Sequence, residues 1–153
     1  MELSDLRMIL KRRRKEWGGL FLAINTPYRA GDWVIATDGR ALLGVKASWK
    51  VREGDAPRTA AISWLEKPVG KKKLSLPKLR DFASKHQDAS ILGYEYDLSI
   101  LADFLLPLED EFCGVKYDSD LNALHLSGNG WGIIFMRRRL KPGKDVPVFR
   151  LEA

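Results

Sequence analysis

Residues 34–45 read Val-Ile-Ala-Thr-Asp-Gly-Arg-Ala-Leu-Leu-Gly-Val, two apolar runs interrupted by a single Asp-Gly. This stretch constrains the fold more than any other. An Asp-Gly pair between β-forming runs is a hairpin signal, because the turn needs backbone with positive φ. The run over 32–49 therefore predicts two antiparallel strands, with Trp33 and Trp49 near its ends. The turn itself needs only Asp38-Gly39. Ala36-Thr37 before it, and Arg40 with Leu42-Leu43 after it, call for a second explanation.

Around this hairpin the chain alternates helical and β periodicity. Residues 3–17 place Leu3, Leu6, Ile9, Leu10 and Trp17 on one helical stripe, with Ser4 or Asp5 as the cap and Gly18-Gly19 as the stop. Arg13 falls inside that stripe, which predicts fraying or exposure there. Residues 20–26 and 58–67 read as strands, rich in aromatic and β-branched side chains. Residues 68–73, with Pro68, Gly70 and Lys71-Lys72-Lys73, read as an exposed basic linker. Residues 75–86 form a second helix, with Pro77 in its first turn. Residues 90–96 read as one strand. A third helix over 97–111 is capped by Asp97 and ended or kinked by Pro107. Strands over 112–118, 123–128 and 131–139 close the pattern, and an irregular tail follows. The order is α+β with mainly antiparallel sheet. A helix followed by a meander occurs at both ends, over about 1–67 and 90–140.

The 153 residues favour one domain, and 45% hydrophobic with 30% charged residues is ordinary for a globular protein. Charge is uneven: residues 1–90 carry 19 Lys and Arg against 10 Asp and Glu, and residues 91–153 carry 7 against 10. A basic front suggests a face for an anion such as a nucleic-acid backbone. Arg7, Lys11, Arg14 and Lys15 share one face of the first helix, and Lys71, Lys72, Lys73 and Lys78 add to it as candidate DNA contacts.

Catalytic signals are thin. A lone Cys113 and two distant histidines, His86 and His125, give no disulfide framework and no zinc spacing. No Gly-rich phosphate loop or nucleophile elbow is present. Glu109-Asp110-Glu111 reads as a solvated loop, and Asp118 and Asp120 as turn residues. His125 alternates with Leu124 and Leu126, which predicts that it faces solvent or a partner. The strand tryptophans read as packing groups before base-stacking ones. No cofactor and no metal is expected, and a nuclease using Asp38, Asp118 and Asp120 is the remote enzymatic alternative. The absence of an apolar span or secretory signal predicts a cytoplasmic protein without membrane contact.

Four segments together point to one family. Val34–Val45 resembles the Ala-Thr-Asp-Gly-His-Arg-Leu-Ala segment of bacterial DNA sliding clamps, the β subunit of the replicative polymerase. Tyr96–Leu108 is similar to a clamp helix, Leu74–Ala83 to a Val-Pro-Arg-Lys helix start, and Gly132–Leu140 to the clamp's terminal strand. The chain departs from the pattern where Arg40-Ala41 replaces His-Arg and where the terminal strand lacks its proline. The resemblance implies a repeated helix-plus-meander fold, with helices on one face of the sheet. It implies a non-enzymatic processivity factor that encircles duplex DNA as a homo-oligomer. It further implies a hydrophobic cleft for peptides of a DNA polymerase or another clamp-binding protein. Carried over by position, the cleft residues are Thr37, Leu42, Pro77, Phe82, Ile134, Met136 and Arg139. At this length the expectation is a single clamp-like domain over 1–140, its halves joined by 68–89, with a tail over 141–153. The alternative is a monomeric DNA-binding or polymerase-binding regulator that kept the clamp fold without the ring.

Overall fold

The computed structural model describes residues 1–17, 26–52, 58–138 and 145–151. The strand expected over 20–26 and the cleft residue Arg139 fall wholly or mainly outside these residues. Helix α1 (Leu3–Trp17) leads into strands β1 (Tyr28–Ala30), β2 (Trp33–Thr37) and β3 (Ala41–Lys46). Then follow α2 (Arg58–Leu65), β4 (Lys72–Ser75), α3 (Leu76–Lys85), β5 (Asp88–Ile91), β6 (Tyr94–Asp97), α4 (Leu98–Leu105), β7 (Phe112–Asp118), β8 (Ala123–Gly128) and β9 (Trp131–Met136). Seven strands make one antiparallel sheet in the order β1-β2-β3-β9-β8-β7-β4, and β5 and β6 pair as a separate hairpin. The N-terminal strand set β1–β3 and the C-terminal set β7–β9 thus meet within the sheet, where β3 pairs with β9.

Alternation along the central strands feeds two cores. Val34, Ala36, Leu43, Leu124, Leu126, Ile133 and Phe135 point to one face and pack with Leu6, Ile9 and Leu10 of α1, Leu76 and Leu79 of α3, and Leu101 and Phe104 of α4. Trp33, Ile35, Leu42, Ala123 and Ile134 point to the other face, where Ala61 and Leu65 of α2 cover them. The expectation of helices on one face holds for α1, α3 and α4, and α2 lies on the opposite side.

That helix corrects the strand expected over 58–67. Thr59, Ile62 and Trp64 carry β propensity, but tertiary packing decides. Ala61 and Leu65, four residues apart, turn one helical face onto the sheet. The sheet is shaped to receive them. Gly44 and Gly132 lie opposite each other across β3 and β9. A Cβ at Gly44 would meet Leu65 Cδ1 at 2.4 Å, and one at Gly132 would meet Leu65 Cδ2 at 3.1 Å. The missing side chains make the notch into which Leu65 drops.

Three further expectations change. Residues 88–97 are a hairpin and not one strand, because Leu92 (φ 52°) and Gly93 (φ 84°) form a two-residue turn with both φ positive. Leucine at such a position leaves no turn signature in the sequence. Helix α4 stops at Leu105, well short of 111: Leu106 still has helical backbone (φ −53°, ψ −44°), but Pro107 after it has no N–H to continue the helical ladder. The tail is not wholly irregular. Pro147 O accepts from Ser90 N (2.8 Å), Phe149 N donates to Ser90 O (2.9 Å), and Phe149 is buried in the core.

Candidate functional site

The hairpin turn between β2 and β3 is built by its own side chains. Thr37 Oγ1 donates to Ala41 O (2.8 Å) and accepts from Gly39 N (3.1 Å). Asp38 Oδ1 accepts from Arg40 N (2.8 Å) and Ala41 N (2.9 Å), and Gly39 takes φ 88°. The other Asp38 oxygen accepts from Arg13 Nε at 2.9 Å, and Arg13 Nη1 reaches Asp103 at 2.9 Å. Arg13 is 5% exposed and Asp38 4%. Arg13 therefore neither frays nor faces water. Its place in the apolar stripe of α1 aims it at a carboxylate on the turn and another on α4. The two carboxylates outweigh burial and hold the guanidinium pKa above its ordinary value. This triad is what Asp38 of the opening stretch supplies beyond a tight turn.

On the α2 side of the same turn lies an apolar cleft of about 220 Å³. Its floor is Leu42 and Ile134, which are register partners across β3 and β9. Thr37, Gly39 and Arg40 form one rim, Met136 another, and Ala61 and Trp64 of α2 supply the wall. Thr37, Leu42, Ile134 and Met136 thus converge. Met136 is 43% exposed, whereas Leu42 and Ile134 are buried beneath it. Pro77 and Phe82 are not there. Pro77 lies in the first turn of α3, exposed, and Phe82 packs on His86 (4.5 Å) and edge-on to the tail's Phe149 (5.3 Å). Trp64 was missed by sequence reasoning because its segment reads as a strand. The helical spacing of Ala61, Trp64 and Leu65 was the available signal.

The basic candidates divide between two elements. Arg7, Lys11 and Lys15 are exposed on α1, one turn apart, while Arg14 is half-buried with a buried Nε that has no partner among the described residues. Lys71, Lys72, Lys73 and Lys78 are exposed on and beside β4 and α3. Helix α4, which touches both α1 and α3, carries no Lys or Arg.

The remaining candidates have structural roles. Asp118 Oδ1 accepts from Asp120 N (3.0 Å) and Leu121 N (3.2 Å), and its other oxygen pairs with Lys67 at 2.7 Å. The Lys67 ammonium and those backbone donors outweigh burial and hold this carboxyl below its usual range. Asp110 is half-buried and accepts from Trp131 Nε1 at 3.0 Å, so only Glu109 and Glu111 are solvated. Burial, with Asp110 nearby, pushes the Cys113 thiol up to about 12, which suits a packed side chain and not a nucleophile. His125 corrects the expectation of a solvent-facing ring: it is 1% exposed. The alternation rule reads polar as outward only where the second face of the sheet is open. Here the chain leaving α2 crosses that face, with Lys116 Nζ bonded to Pro68 O and Gly70 packed on the Val115 carbonyl. Neither imidazole nitrogen has a hydrogen-bond partner among the described residues. Burial first, and then the Lys116 charge, push its pKa down to about 4. Among the described residues no group of His, Cys, Asp or Glu could hold a metal ion, Asp38, Asp118 and Asp120 included, and no helix is long and apolar enough to cross a membrane.

A large antiparallel sheet backed by helices, with an apolar cleft beside a Thr-Asp-Gly turn, is a sliding-clamp-like fold. The chain is similar to DNA polymerase III subunit beta from Borrelia burgdorferi, solved in complex with a natural product, at a TM-score of 0.58 and 13% identity over 92% of this chain. It spans 62% of that clamp's length. A DNA polymerase sliding clamp from Pseudomonas aeruginosa, solved with a ligand, matches over 71% of this chain and 42% of that one, at 13% identity and a TM-score of 0.42. No protein-family model matches the chain, and no curated protein matches it in sequence.

Proposed function

We propose that this protein is a non-enzymatic accessory factor of DNA replication or repair. It holds peptides of a polymerase or another clamp-binding protein in the cleft at Thr37, Leu42, Ile134 and Met136. It meets duplex DNA without sequence preference through Arg7, Lys11 and Lys15 on α1, with Lys71–Lys73 and Lys78 adding to the attraction. The observation that carries the reading is the convergence of an exposed Met136 with a buried apolar floor at the Thr-Asp-Gly turn of a sliding-clamp-like fold. Small, apolar and methionine side chains make a pocket that adapts to peptide side chains. The test is molar mass by light scattering, with and without a duplex, across a salt series. A defined multimer of the 17.4 kDa chain that retains DNA supports a self-assembled ring.

One observation favours the second reading, a monomeric adaptor that keeps the fold for binding. Among the described residues the sheet ends at β1 and β4, and β4 carries exposed Lys72 and Lys73. Edge lysines oppose strand-to-strand pairing between copies. A monomer at every concentration and salt, still binding DNA or peptide, establishes the adaptor and ends the autonomous ring. Loss of both binding activities in folded protein ends both readings.

A further inference from the structure

The hairpin of β5 and β6 stands apart from the large sheet, and chain from after β9 bonds to both of its outer edges. On the β6 side, Arg138 N donates to Glu95 O (2.9 Å). On the β5 side lies the segment over 145–151. Ser90 N donates to Pro147 O (2.8 Å) and Ser90 O accepts from Phe149 N (2.9 Å), a single parallel bridge between Ser90 and Val148. Phe149, 7% exposed, enters the core edge-on to Phe82, and Leu151 packs half-buried on the same core. Val148 and Arg150, which alternate with them, are exposed.

This ladder is stopped at both ends by chemistry. The residues of one strand that bond to the same neighbour are two apart, so the next rung after Ser90 falls on Asp88. In a parallel pair the Asp88 C=O would accept from the N–H of residue 147, and Pro147 has none. In the other direction the next rung falls on Leu92, which the turn holds at φ 52°, outside extended geometry. The β5 edge thus has two residues able to bond a neighbour and is held at one. Its occupant rests on two backbone hydrogen bonds, one buried ring and a half-buried leucine. Keeping them orders the whole segment, which places it among the parts of a fold that open first.

We infer that the β5 edge and the pocket of Phe149 form a strand-addition site for a partner protein, and that the segment over 145–151 is its displaceable stand-in. The partner supplies an extended peptide with an aromatic side chain in the place of Phe149, an aliphatic one two residues later, and a residue other than proline two residues before. Such a strand fills the same pocket and adds the bond to Asp88 that Pro147 withholds. A second copy of this chain brings the same proline and gains no bond over the resident segment, so the occupant that displaces it comes from a different protein. The site shares no residue with the apolar cleft and does not depend on that reading.

The test uses the full chain and a fluorescein-labelled peptide, Asp-Val-Val-Val-Phe-Arg-Leu, which is the sequence of 145–151 with valine in the place of proline. By fluorescence anisotropy it should bind Phe149→Ala, whose pocket is vacated, about tenfold tighter than the unaltered chain, where the resident segment competes. The same peptide with proline restored should bind about fivefold more weakly, as for one net backbone hydrogen bond. A peptide with alanine for phenylalanine should not bind. In the unaltered chain, hydrogen exchange should find the Ser90 amide far less protected than the amides of β3 and β9, and saturating peptide should raise its protection. A Ser90 amide as protected as the central strands fixes the segment until global unfolding and overturns the inference, as does a Phe149→Ala chain that cannot fold. Equal binding of the valine and proline peptides removes the Asp88 rung and with it the specified partner. Absence of peptide binding by both proteins, or a dimer built by exchange of the segment with no affinity for free peptide, overturns the inference.

Discussion

Arg13 shows how one side chain ties the turn to the helices. Its guanidinium joins α1 to Asp38 on the turn and to Asp103 on α4. Removing it leaves Asp38 buried without its counter-charge, so Arg13→Ala should cost about 3–5 kcal/mol in urea denaturation. Met136 behaves oppositely. Being 43% exposed, Met136→Ala should cost only about 0.5 kcal/mol yet weaken peptide binding, whereas Ile134→Ala beneath it should cost about 2–5 kcal/mol. An equal loss of stability at both positions would make Met136 a core residue and remove it from the cleft. His125 sets the acid limb of stability. Its folded pKa of about 4 lies below the ordinary 6.5, so the unfolded chain binds the proton more readily. Its contribution to stability is flat above pH 6.5 and should fall as pH drops toward 4, by about 3 kcal/mol in all. His125→Leu should flatten that limb in urea titrations from pH 7 to 4.5. An unchanged slope would place the titration on another group. At this scale the resemblance named Thr37, Leu42, Ile134 and Met136, which line one cavity in the structure, while the residue pattern misled at Arg13 and His125. The reason is the same for both misses: a polar residue in an apolar pattern was read as outward when its partner, or its cover, came from a distant segment.

At the scale of elements, α1 and α3 could be read from their stripes, and the hairpins β2–β3, β7–β8 and β8–β9 from turn residues and alternation. The second helix could not. Its eight residues hold β-branched and aromatic side chains, and its helical state depends on a notch formed by Gly44 and Gly132, far away in sequence. The same notch makes a prediction. Gly44→Ala puts a methyl group against Leu65 and at 3.1 Å from Trp33 Cε3, so Leu65 must leave its notch and α2, which it anchors, should shift with it. The expected loss is about 1–3 kcal/mol, with weaker peptide binding because Ala61 and Trp64 move with the helix. Gly130→Ala, where a Cβ would meet nothing within 4 Å, separates this effect from backbone strain. Its loss should come with intact peptide affinity. Equal affinity losses in the two variants would detach α2 from the cleft.

For the whole molecule, α4 lies in contact with both α1 and α3 and brings no cation, so the basic helical surface is divided. If α1 meets phosphates, Lys11→Glu with Lys15→Glu should flatten the plot of log K against log salt by about 2, while folding is kept. An unchanged slope moves the contact to the lysines around β4. The sheet joins two segments far apart in the chain at β3 and β9, and the cleft floor is split between them, Leu42 from one and Ile134 from the other. Neither run alone announces a pocket, which is why only the resemblance pointed to it. That joint also decides when the site comes into being. Leu42 leaves the ribosome long before Ile134, and the apolar cleft exists only once β9 has closed the sheet. A nascent or truncated chain ending before β9 therefore lacks the cleft, and if the proposed peptide binding holds, capture of a partner there would report on complete folding.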